Sequence, residues 1–187
     1  MPNPTSATAR ALPIASRDHL RGPATAAHAL VEYGDFECSA SAEARWVIKE
    51  LEEEMEDKLC VAFRHFPLSD IHPHAQAAAE AAEAADAQGK FWLMHDRLFD
   101  HQNELEPNHL QSYANHISID MATFERDLRS GAPARHVAED VEGARALHVT
   151  ETPTFFLDGI LYSGPAEFLP MLEALEGSES RQDRFAK

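Results

Sequence analysis

Cysteine, positive charge and long apolar runs are all scarce in this chain of 187 residues, and each shortage removes a class of function. No apolar run approaches the roughly 20 residues that a membrane-crossing helix needs. Cysteine occurs only as Cys38 and Cys60. Two thiols cannot build the multi-bridge framework of a small secreted domain, nor the four thiolates of a structural zinc site. Lys and Arg total 16 against 32 Asp and Glu, a net charge of −16. Such a chain repels phosphate backbones and anionic lipid, so neither nucleic acid nor a membrane surface is an expected partner. Up to about Ser16 there is none of the apolar core of a secretion signal. On that ground the expected compartment is the cytoplasm, with a processed periplasmic form as the alternative.

What is present suits one ordinary globular domain: 44% hydrophobic and 26% charged residues. Residues 1–25 carry Pro2, Pro4, Pro13 and Pro23 with little apolar periodicity, and read as a flexible tail. Ala29-Leu30-Val31-Glu32-Tyr33 reads as a buried strand ended by Gly34. Ala44, Val47, Ile48, Leu51 and Met55 then recur at helical spacing, with Glu50, Glu52, Glu53 and Glu54 off that stripe. Leu59 to Phe66 reads as a second strand, stopped by Pro67. From about 70 to 148 the pattern is helix after helix, beginning with the alanine-dense stretch Ala75–Ala87. Thr154–Leu157 and Ile160–Tyr162 flank Asp158-Gly159, a strong hairpin signal. A last helix spans Ala166–Leu175, and 177–187 reads as a polar tail. The order β-α-β, helical block, hairpin, helix predicts an α/β domain over 26–176, with a helical subdomain inserted and its first two strands parallel.

Cys38 falls where the first strand gives way to the first long helix. The free N–H groups and partial positive charge of a helix N-terminus stabilise a thiolate and raise its reactivity. Ser41, three residues on, shares that face and is expected to donate a hydrogen bond to Cys38. Asp35 and Glu37 oppose this with negative charge. A packed, inert cysteine remains the competing reading. Cys60, among Val61, Ala62 and Phe63, is expected to be a core cysteine too distant to pair with Cys38.

Four segments, in this order, carry a resemblance: Tyr33-Gly34-Asp35-Phe36-Glu37-Cys38, Phe63-Arg64-His65-Phe66-Pro67-Leu68, His72-Pro73-His74-Ala75 and Thr152-Pro153-Thr154-Phe155-Phe156. Together they resemble the DsbA-like branch of the thioredoxin superfamily, from about Asp18 to about Leu175. The resemblance implies a thioredoxin-like fold with a helical insertion, and thiol–disulfide exchange. It implies that Cys38 is the attacking cysteine and Pro153 a cis-proline. Thr152 and Pro153 would receive an extended substrate, with Phe36 adding an apolar rim beside Cys38. Protein or small-molecule thiols and disulfides are the implied partners.

One departure is large. The family usually carries C-x-x-C, whereas this chain has Cys38-Ser39-Ala40-Ser41. No disulfide can form within that motif. A lone thiol can still form mixed disulfides that a low-molecular-weight thiol such as glutathione resolves. A binding module without turnover, or a Cys-to-Ser replacement made to trap mixed disulfides, would leave the same residues. No metal or organic cofactor is expected. The run His72-x-His74 near His65 raises the question of a metal, but Pro67 and Pro73 make a turn there, and a helix start at His74 is the expectation. His65 is expected at a strand end, near enough to tune the thiol. Trp46, Phe91, Trp92 and Phe99 are expected to pack in the core.

Overall fold

The computed structural model describes residues 14–15 and 17–185, with side chains through 177. Five strands among them form one sheet in the order β1-β3-β2-β4-β5. They are β1 (His19–Arg21), β2 (His28–Gly34), β3 (Leu59–His65), β4 (Thr154–Leu157) and β5 (Ile160–Tyr162). β2 and β3 pair in parallel, from His28 opposite Leu59 to Gly34 opposite His65; the other pairings are antiparallel. A parallel pair at the centre of a sheet needs cover on both faces, and nearly every residue of β2 and β3 is buried.

Helix α1 (Ser39–Met55) and α7 (Phe168–Phe185) close one face. Ala44, Ile48 and Leu51 of α1 and Met171 and Leu175 of α7 pack with Leu30, Val61 and Phe155 there. Ala144 of α6 (Ala132–Ala146) and Val149 cover Val31, Ala62 and Phe156 on the other face. The insertion adds α2 (Ala75–Asp86), α3 (Phe91–Asp100), α4 (Pro107–His116) and α5 (Met121–Ser130). Seven alanines of α2 are buried, and their small side chains let α3, α4, α5 and α6 all approach one helix. The thioredoxin-like α/β fold with a helical insertion read from the sequence is therefore the fold observed. The Asp158-Gly159 turn has positive φ at both residues (49° and 77°), the conformation a two-residue hairpin demands.

Three expectations are corrected. β1 lies inside the segment read as a flexible tail; the rest of that reading, at residues 1–13 and 16, falls outside the described residues. Antiparallel pairing with β3 holds β1, and so does the Asp18 carboxylate, which takes two hydrogen bonds from buried Arg64 at 2.8 and 2.7 Å. Gly22, at φ 87°, must be glycine, because a Cβ there would lie 2.3 Å from the Leu59 carbonyl oxygen. The last helix does not end near Leu175 but continues to Phe185 through the polar segment. Trp46 is not core: it is 55% exposed, with the Arg45 guanidinium 4.6 Å from its ring.

Candidate active site

β2 delivers the chain to a tight turn, and α1 begins immediately after it. Cys38 is the N-cap of α1, with extended backbone geometry. Its carbonyl accepts from Ala42 N at 3.1 Å, the first bond of the helix. Its thiol donates to the Thr152 carbonyl oxygen at 3.2 Å, across a cis Thr152–Pro153 peptide. The structure thus brings Cys38, Thr152 and Pro153 together from opposite ends of the sequence. The sheet explains the meeting: β4 pairs with β2, with Thr154 opposite Tyr33. Cys38 is 9% exposed, while its neighbour Ala40 is exposed.

A groove of about 620 Å³ opens beside this contact. Ala40, Glu43 and Val47 of α1 form one wall, and Glu151, Pro153 and Thr154 the other. Its position along Pro153 and Thr154 offers room for an extended peptide or a small thiol.

The turn itself is pinned from three directions. Asp35 Oδ1 accepts from Glu37 N at 2.8 Å; Oδ2 accepts from Leu68 N at 2.8 Å and meets His72 Nδ1 at 2.8 Å. Glu37 meets both the backbone N–H and the Nδ1 of His74, at 2.7 and 3.0 Å. The carboxylates that flank Cys38 are therefore each taken up by one histidine of the His72-x-His74 run. His74 is the N-cap of α2, as the turn signals suggested. Gln102, beyond α3, donates to the carbonyls of Phe36 and Cys38 at 2.9 and 2.8 Å.

Two readings of individual residues change. Ser41 is fully buried, and its Oγ accepts from Asp35 N at 3.4 Å; among the described residues its bond runs to that amide and not to the Cys38 thiol. One helical turn aims the hydroxyl at the preceding strand end. Phe36 is 1% exposed, with its ring 5.0 Å from Phe99 and 5.3 Å from Phe63. It is a core side chain and forms no rim, because the turn directs it inward beneath the insertion. His65 is also buried, and its Nε2 donates to Glu83 at 2.8 Å. Cys60 is a buried free thiol whose pKa burial pushes up. It sits opposite Ala29, five residues before Gly34, so about 17 Å of strand separates it from the Cys38 end of the sheet.

Sequence reasoning missed Gln102 and Glu32. Nothing in the sequence marks Gln102. Glu32 had a signal, a carboxylate inside an otherwise apolar strand. It is 3% exposed, its Oε1 has no hydrogen-bond partner among the described residues, and burial pushes its pKa up to about 8. Among the described residues, the group with ligand atoms close enough to share a metal ion is His19, Glu83 and His136, away from this turn.

Residues 15–176 match the family model described as thioredoxin. The sequence is 47% identical over 148 residues to the Na(+)/H(+) antiporter NhaA 1 of Salinispora arenicola, covering 79% of this chain and 22% of that protein. The chain spans about a quarter of the length of the curated relatives it matches. The thioredoxin-like oxidoreductase of Silicibacter pomeroyi superposes with a TM-score of 0.76 at 22% identity, covering 90% of this chain and 94% of that one. Wolbachia pipientis alpha-DsbA1 superposes with a TM-score of 0.79 at 18% identity, covering 96% and 99%.

Proposed function

The chain belongs to the thioredoxin family, and from that premise we propose that it is a DsbA-like thiol–disulfide exchange protein that works through Cys38 alone. The observation that carries this reading is the Cys38 thiol at the start of α1, held on the carbonyl that precedes Pro153, with a groove beside it. A segment laid along Thr152–Pro153 would bring its disulfide to the thiol in extended form.

The chemistry balances with one protein thiol. Cys38, after giving up its proton to solvent, attacks one sulfur of a substrate disulfide. A Cys38–substrate disulfide forms, the substrate S–S bond breaks, and the second substrate sulfur leaves as thiolate. A low-molecular-weight thiol such as glutathione then attacks the mixed disulfide on the substrate sulfur. That step frees Cys38 and leaves the substrate joined to the small thiol. Asp35, Glu37, His72, His74 and Gln102 hold the turn and take no part in bond exchange. Ion transport is not carried over from the antiporter relatives, since the match covers about a quarter of their length.

Ser41 in place of a second thiol supports two other readings: a thioredoxin-fold module that binds partners in the groove without turnover, and a dithiol enzyme altered at that position. Deglutathionylation of a peptide carrying a glutathione mixed disulfide separates them. Turnover with glutathione in the native chain and none in Cys38→Ala supports the monothiol route. Activity that appears only in Ser41→Cys supports the altered dithiol enzyme, and inactivity of all three supports the module.

A further inference from the structure

Three histidines converge on one buried carboxylate at the β1–β3 side of the sheet. Glu83, from the last turn of α2, directs Oε1 to His19 Nε2 of β1 at 2.5 Å and to His65 Nε2 of β3 at 2.8 Å. Its Oε2 lies 2.8 Å from Nδ1 of His136, on α6. One helical turn along α2, Asp86 Oδ1 lies 3.3 Å from the other nitrogen of His19. The His19 ring is clamped: it stacks on Phe91 at 3.5 Å and 6°, and lies 5.3 Å from the His136 ring.

The ligand atoms of His19, Glu83 and His136 all fall within 4.8 Å of one another. A tetrahedral ion with bonds of about 2.0–2.1 Å spaces its ligand atoms by about 3.4 Å, so small rotations separate the present arrangement from a coordinated one. The surroundings favour the same outcome. Asp86 accepts from His19 Nδ1 and so keeps Nε2, whose proton an ion would displace, directed at Glu83. His65 Nδ1 has no partner among the described residues, which places its proton on the Nε2 that holds the Glu83 carboxylate. A cleft of about 520 Å³ reaches His19, Asp86 and His136 from solvent. It opens onto two of the three ligand residues and gives an ion access.

We propose that His19, Glu83 and His136 bind a divalent transition-metal ion of the zinc class, oriented by Asp86 and His65. Two imidazoles and a carboxylate suit such an ion better than Ca²⁺ or Mg²⁺, which take oxygen ligands throughout. The site lies on the β1 side of the sheet, whereas Cys38 contacts Thr152 on the β4 side. A bound ion would join β1 to α2 and α6 and stiffen the seat of the insertion. It does not depend on the thiol chemistry proposed above.

The test is titration of the full 187-residue chain with Zn²⁺ by calorimetry and with Co²⁺ by visible absorption, beside Cys38→Ala, His136→Asn and His72→Asn/His74→Asn. One ion per chain is expected. Its affinity should stay within twofold in Cys38→Ala and in the double variant, and fall at least tenfold in His136→Asn. His136 is the most exposed member of the cluster, and circular dichroism of that variant should match the native chain. Absence of stoichiometric binding would overturn the proposal. So would binding that survives His136→Asn, or binding that is lost with Cys38 or with His72 and His74.

Discussion

Replacing Glu32 with glutamine should change how stability depends on pH far more than it changes the fold. The carboxyl is buried on β2, six positions before the thiol, in a small cavity that also meets Arg21, Arg45, Glu52 and His95. Burial raises its pKa to about 8 from 4.5. Between those values the folded chain holds a proton that the unfolded chain has released. Unfolding therefore releases a proton, and stability falls as pH rises. The contribution is fully present below about pH 4.5 and is gone once pH has risen through about 8. At about 1.4 kcal/mol per unit, the native chain should lose about 3 kcal/mol between pH 5 and 7.5 through this group alone. Glutamine is neutral throughout and removes the slope. Urea unfolding of both proteins at several pH values isolates the difference, because the neighbours Arg21, Arg45, Glu52 and His95 are present in both. Parallel stability curves for the two proteins would refute the reasoning.

Other perturbations have outcomes fixed by the contacts. Asp18→Ala should cost about 3–5 kcal/mol in urea unfolding, because it strips buried Arg64 of a two-point partner. Phe36→Ala should cost a similar ~3–5 kcal/mol and act on stability, since the ring lies in the core. Gln102→Ala removes two hydrogen bonds from the Cys38 turn. It should lower stability by about 1–3 kcal/mol and speed amide exchange at residues 36–42.

Most of the fold was legible because its signals are local. The β4 and β5 boundaries followed from the apolar runs flanking Asp158-Gly159, and α2 from the alanine-dense stretch that begins at Ala75. β1 was not legible: it has three residues, and its place depends on β3 and on the Asp18–Arg64 pair, more than forty positions apart. α7 continues through a segment whose composition looks like a tail. At the site, Cys38, Thr152 and Pro153 were found because they stand in the segments that, taken together and in order, carry the family resemblance. The direction of a side chain from a turn was not readable. Phe36 points inward, and Ser41 turns to an amide of the preceding strand end instead of the thiol. The partners of His65, His72 and His74 were hidden for a related reason. Each histidine answers a carboxylate that only the folded chain brings near.

The most direct measurement is intact-mass analysis of the folded chain after incubation with oxidised glutathione, with peptide mapping of the adduct. A single glutathione on Cys38 is expected, removed by reduced glutathione and absent from Cys38→Ala, with Cys60 unmodified until the protein is denatured. A folded chain that stays unmodified at Cys38, or that takes up glutathione at Cys60 instead, would contradict the assignment of Cys38 as the nucleophile.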